Sequence, residues 1–85
     1  MPKNRMTISK KFLGKLVRIV WLDSIVDGGW VYDDWRPHIP SIVSYGTVMY
    51  LDEKLLTFAS TIGKKGGMFN PVTIPVGSVV EIKEI

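Results

Sequence analysis

The chain has no cysteine and only one histidine. The first absence excludes a disulfide framework and any thiolate metal site, leaves the hydrophobic core to hold the fold, and suits a reducing compartment. The second, with no serine in a nucleophile-elbow or Ser-Lys pattern, leaves acyl transfer without machinery. His38 lies near Asp33 and Asp34 in sequence, but adjacent carboxylates in a loop point apart more often than they converge, so no metal is expected. Long apolar runs are also missing. Residues 19–22 form a run as long as any, far short of the roughly 20 residues a membrane span needs. The basic N-terminus lacks the apolar stretch of a secretory signal, so the expectation is a cytoplasmic protein with no membrane partner. Neither an enzyme nor a cofactor is implied.

What is present is one domain's worth of chain. Eighty-five residues, 46% of them hydrophobic and 22% charged, make an ordinary globular composition. A domain of this size buries only roughly 60–65% of its unfolded surface, so its stability margin is thin. The net charge is +3, unevenly distributed. Residues 1–20 carry Lys3, Arg5, Lys10, Lys11, Lys15 and Arg18 and no acid, whereas residues 21–40 carry Asp23, Asp27, Asp33 and Asp34 against Arg36. The cationic end reads either as a phosphate-contacting arm or as a solvated terminus. The acidic segment would repel nucleic acid or pair with the basic one of a neighbouring subunit.

The centre of the chain is residues 41–60, two β-strands joined by the turn Asp52-Glu53-Lys54. In the first strand Val43, Tyr45, Thr47, Met49 and Leu51 alternate with Ser44, Gly46, Val48 and Tyr50, the period of a strand. Gly46 inside this pattern predicts a bend or a close backbone approach. Upstream, residues 1–9 read as a flexible basic N-terminus, with a helical turn over residues 7–13 capped by Ser9 and docking Phe12 and Leu13. Gly14 ends it. Residues 15–23 form the first strand, with Val17, Ile19 and Trp21 inward; Trp21 is expected buried and Arg18 exposed. The outer set, Leu16, Arg18, Val20 and Leu22, is too apolar for a free surface and is expected to meet the inserted loop or another subunit.

Residues 24–40 are long for a hairpin loop. Asp27-Gly28-Gly29 is a turn signal, and residues 30–32 suggest a short extra strand ended by Pro37 and Pro40. Trp30, Tyr32 and Trp35 are candidate partner-binding anchors or base-stacking platforms. The alternative, favoured because indole area usually goes into cores, is that they cap the open end of the fold. Further on, Gly63-Lys64-Lys65-Gly66-Gly67 is a flexible basic turn without P-loop spacing. Asn70-Pro71 opens a fourth strand through Ile74, Pro75-Val76-Gly77-Ser78 is a tight turn of 3₁₀ type, and residues 80–85 are the closing strand. The fold class is all-β, a small, strongly bent five-stranded barrel over residues 10–85 with an inserted loop at 24–40.

The order of these strands, opened by Gly14-Lys15-Leu16-Val17-Arg18-Ile19 and closed by Ile74-Pro75-Val76-Gly77-Ser78-Val79-Val80-Glu81-Ile82, resembles the Sm-like family of small barrels. Gly46-Thr47-Val48-Met49-Tyr50-Leu51-Asp52 is similar to that family's first signature: a bent-strand glycine, an apolar residue two on and an aspartate six on. The resemblance implies an N-terminal helix, a homo-oligomeric ring of six or seven subunits joined strand to strand, and single-stranded RNA bound around the pore. Of the RNA-site positions Asp52 alone carries over. Leu55-Leu56 stands where the family has Met-Asn, and Pro75 follows Ile74 where the family has Ile-Arg-Gly.

Two functions are therefore carried forward. One is a nucleic-acid-binding ring, with Lys10, Lys11, Lys15, Asp52, Lys64 and Lys65 as candidate contacts. The other is an SH3-like protein-interaction module, resembling through Trp21, Gly29-Trp30 and Ile74-Pro75 small phage proteins with SH3-like barrels, that binds no nucleic acid and uses Trp30, Tyr32 and Trp35. For assembly, the candidate open edges are residues 55–62 and 80–85.

Overall fold

The computed structural model describes residues 7–24 and 28–85. Most of the expected flexible arm, and Asp27 of the expected turn, lie outside the described residues.

The chain runs through a 3₁₀ turn (Lys10–Phe12), β1 (Leu16–Leu22), β2 (Ser41–Leu51), β3 (Leu55–Ala59), β4 (Thr61–Ile62), β5 (Met68–Phe69), β6 (Val72–Pro75), a second 3₁₀ turn (Val76–Ser78) and β7 (Val79–Glu84). Five strands form one sheet in the order β6-β3-β2-β1-β7, and β4 and β5 form a separate two-stranded sheet. All pairings between these strands are antiparallel. The all-β, five-stranded expectation holds.

Connectivity forces this sheet to roll. In a flat five-stranded sheet the outer strands would lie about 19 Å apart, yet β6 and β7, the outer strands, are separated by the three residues Val76–Ser78 alone. That turn rises about 6 Å. Curvature is concentrated in β2, which pairs with β1 through Ser41 to Thr47 and with β3 from Thr47 to Leu51. Gly46 sits at this corner. A Cβ there would lie 3.0 Å from the Ala59 carbonyl oxygen and 3.1 Å from Phe58 Cδ2, so the glycine permits the close approach anticipated from its place in the strand.

The first turn packs over the same corner. Ser9 caps it by accepting a hydrogen bond from the Lys11 N–H at 3.2 Å, and Gly14, at φ +81°, reverses the chain so that its N–H donates to the Val48 carbonyl at 2.8 Å. Phe12 is half-buried against the core and Leu13 stays exposed; the anchor is Ile8, which the sequence pattern had not singled out. Inside the roll, Val17, Ile19, Val48 and Leu56 are wholly buried, with Ile8, Leu51, Phe58, Ile74, Val76 and Val79 around them.

Two bulges shift the expected alternation. Val48 pairs with Phe58 but Tyr50 with Thr57, so Met49 is an extra residue and Leu51 turns into the core while Tyr50 faces out. The uninterrupted alternation expected through Leu51 is thus corrected at its end. Likewise Val20 pairs with Glu81 and Trp21 with Val79, leaving Val80 as the extra residue on β7. Trp21, expected buried, is half-buried, and its ring N–H donates to Ser44 Oγ at 3.0 Å. Arg18 is half-exposed and pairs with Glu81 at 3.3 Å.

Three further expectations are corrected. No strand forms over residues 30–32, where the loop's backbone bonds are local. The strand expected to run to residue 62 leaves the main sheet at Ser60, so residues 61–62 pair with β5 instead. And β3 is not an edge, because β2 and β6 flank it; the outer strands are β6 and β7.

Candidate interaction surface

The loop between β1 and β2 is anchored by two adjacent rungs. Leu22 pairs with Ser41, and the Asp23 N–H donates to the Pro40 carbonyl at 3.0 Å. Beyond them the backbone is held from within. The Trp35 N–H donates to the Tyr32 carbonyl at 2.9 Å, and Arg36 Nη1 donates to the carbonyls of Asp33 and Trp35 at 3.0 and 2.9 Å. The loop's one cation is therefore committed to its own backbone, while Asp33 and Asp34 remain exposed.

Trp30 and Tyr32 are 88% and 75% exposed, and Trp35 is exposed to a lesser degree. The expectation that these rings cap the open end of the barrel is overturned for Trp30 and Tyr32. The buried core is assembled without them, and it includes Val76 and Val79, the first residue and the C-cap of the second 3₁₀ turn. This turn also brings surfaces together. The Val76 N–H donates to the Lys54 carbonyl at 2.8 Å, and Val79 sits opposite Trp21, so three residues link the β2–β3 turn to the neighbourhood of the loop's base.

Asp52, the candidate RNA contact of the motif, is held by its own turn. Its Oδ1 accepts the N–H groups of Lys54 and Leu55, each at 2.8 Å, and its Oδ2 accepts the Tyr50 hydroxyl at 2.6 Å. Three donors on one carboxylate favour the charged form. The Tyr50 hydroxyl first, then the Leu55 and Lys54 N–H groups, hold the Asp52 carboxyl below the usual range, and Asp52 in turn raises the Tyr50 phenol. Asp52 thereby closes the β2–β3 turn. Beside it, a cleft of about 420 Å³ is floored by Ile8 and Leu51 and rimmed by Lys10, Asp52 and Glu53.

Lys10, on the first 3₁₀ turn, rims the cleft beside Asp52, Lys15 follows that turn and its carbonyl accepts the Val48 N–H, and Lys64 and Lys65 lie between β4 and β5, beyond the Ala59 end of β3. Among the described residues no three His, Cys, Asp or Glu side chains gather as a metal site, and no helix is long and apolar enough to cross a membrane.

No family model, curated protein or solved structure matches this chain.

A second exposed surface lies on the outer side of β1, β2 and β7. The register places Leu16, Arg18, Val20 and Leu22 beside Thr47, Tyr45, Val43 and Ser41, with Lys83 opposite Arg18 and Glu81 opposite Val20. Leu16, Leu22, Val43 and Tyr45 are all exposed. The alternation in β1 and in the first half of β2 was the sequence signal for this face. Across β3 and β6 the corresponding side is more polar, with Thr57 Oγ1 and Thr73 Oγ1 hydrogen-bonded at 2.7 Å. The contact between Trp21 and Ser44 left no signal in the sequence, since it depends on pairing register.

Proposed function

We propose that the chain is a protein-binding module whose working surface is the loop of residues 28–39. The observation that carries this reading is the exposure of Trp30 and Tyr32 on a loop anchored at both ends. Large aromatic rings held in solvent by a closed base bring wide contact area at low ordering cost, which is how binding hot spots are built. The loop also sets the chemistry of its partner. Asp33 and Asp34 are exposed, Arg36 is engaged with the backbone, and the aromatic faces attract cations. The fitting ligand is a protein segment that carries Arg or Lys between apolar side chains.

Selection from a displayed random-peptide library tests it. Enriched peptides should be basic and apolar and should lose binding to a Trp30→Ala, Tyr32→Ala variant whose melting temperature is unchanged. A selection that enriches nothing, or peptides that bind the variant equally well, would overturn the reading.

A second reading, single-stranded RNA bound to an Sm-like ring, has one observation in its favour: residues 55–80 carry Lys64 and Lys65 and no acid. In that arrangement the outer edge of β6 in one copy would pair with β7 of the next. Its test is a salt-sensitive change in fluorescence anisotropy of a labelled RNA oligonucleotide at low ionic strength, where phosphate contacts are strongest. An unchanged signal removes it.

A further inference from the structure

The outer face of β1, β2 and β7 has no covering layer among the described residues. Leu16, Leu22, Val43 and Tyr45 are 50%, 41%, 48% and 55% exposed, in adjacent register positions on two paired strands. Isolated exposed side chains need no explanation, but a contiguous patch in register does. Its charges are specific. Arg18 and Lys83 flank the apolar residues, Glu81 is the face's one acid, and Arg18 leans to Glu81.

We infer that this face receives the residue 28–39 loop of a second copy of the chain. The inference rests on the reading of that loop as a binding surface and names an occupant for it. Loop and face are complementary in both respects that matter. The loop offers Trp30 and Tyr32 with exposed carboxylates at Asp33 and Asp34, and the face offers apolar side chains bordered by an excess of cations. Within one copy the two stay apart: the loop begins and ends at the margin of this face, at Leu22 and Ser41, yet Trp30 and Tyr32 remain in solvent. A second copy supplies the same face without that constraint. Made one way the contact is head-to-tail and builds chains or rings; made reciprocally it closes a twofold dimer through two such contacts.

The size of the contact sets the conditions of the test. Two aromatic rings bury about 150–250 Å² each, and with a matching area on the face the total stays below the roughly 1,200 Å² of standard interfaces, so the association is weak and transient. Sedimentation velocity should cover about 10–500 μM protein for that reason. The expected result is a mass that rises with concentration and falls as salt is added.

Two blocked variants then identify the contact. One is Trp30→Ala, Tyr32→Ala, which removes the loop anchors. The other is Val43→Glu, Tyr45→Glu, which makes the face repel the loop. Each alone should stay monomeric with an intact melting transition, and their equimolar mixture should form a one-to-one dimer that grows no further, because each supplies the surface the other lacks. Lys83→Glu serves as a second face variant if the paired glutamates unfold the sheet; it should weaken association and reduce its dependence on salt. A wild type that remains monomeric throughout overturns the inference. So does a loop variant that still associates, which would indicate pairing through β6 and β7 or face against face, and so does a mixture that remains monomeric. If peptide selection yields loop-dependent ligands for a monomeric wild type, the protein-binding reading stands and the second copy is excluded as its occupant.

Discussion

Replacing Gly46 by valine tests the bend on which the roll depends. The first added atom already has nowhere to go: an ideal Cβ would lie 3.0 Å from the Ala59 carbonyl oxygen, 3.1 Å from the Ala59 carbonyl carbon and 3.1 Å from Phe58 Cδ2. Carbon and carbonyl oxygen ordinarily approach to about 3.3–3.6 Å, so the overlap is a few tenths of an ångström for alanine, and two of the three atoms involved are backbone of β3. Valine adds two methyl groups beyond that point. Overpacking of this kind costs about 1–3 kcal/mol, against a gain of about 0.4–1 kcal/mol from restricting the unfolded chain. The net loss expected for Gly46→Val is about 2 kcal/mol, with Gly46→Ala nearer to neutral. For a domain of this size each kcal/mol moves the melting temperature by about 4–8 °C. Thermal unfolding followed by tryptophan fluorescence should therefore show a fall of about 8–16 °C. Gly77→Ala is the control, since a Cβ there meets nothing and melting should not fall. A Gly46→Val protein that melts with the wild type would refute the argument that the corner of β2 needs a residue without a side chain.

Leu56→Ala should cost about 2–5 kcal/mol, because Leu56 is wholly buried at the centre of the core and its removal leaves a cavity; a urea midpoint close to wild type would show that the site collapses. Ser44→Ala should cost about 1 kcal/mol by leaving the Trp21 ring N–H without its acceptor, read as a shifted urea midpoint at constant slope; no shift would mean water replaces the hydroxyl. Asp52 has a lowered carboxyl, so its contribution to stability is complete above the ordinary carboxylate value of about 3.9 and is lost as the pH falls through the lower folded value. An acid titration should accordingly destabilise the wild type more steeply below about pH 4 than Asp52→Asn, and parallel curves would contradict this. Tyr50, with a raised phenol, contributes below its ordinary value of about 10 and loses that contribution at higher pH; in Asp52→Asn its ultraviolet titration should move to lower pH.

Much of the architecture follows from local features of the chain. The alternation through Val17 and Ile19, the turn residues Asp52-Glu53-Lys54, the cap at Ser9, the reversal at Gly14 and the Pro75-Val76-Gly77-Ser78 turn each act within a few residues, and each appears where the sequence placed it. Gly46 was legible for the same reason, since a glycine weakens a strand unless the backbone needs the room. The candidate surface was legible only as composition. The aromatic and acidic character of residues 24–40 was plain, but whether Trp30 and Tyr32 would close the barrel or face solvent depended on the packing of the whole sheet. Asp52 was legible as a motif residue, but the three donors that engage its oxygens are visible only in the folded turn.

By itself the sequence determined the strands of the main sheet, where the chain turns between them, and that a cysteine-free core must hold them, because these depend on side-chain period and backbone preference over a few residues. Tertiary structure alone decided the register. The extra residues at Met49 and Val80, the exclusion of residues 61–62 from the main sheet and the choice of β6 and β7 as edges depend on pairings between residues far apart in the chain. A one-residue slip in such a pairing moves a side chain from core to solvent at little local cost, and only packing against the other strands selects among the registers.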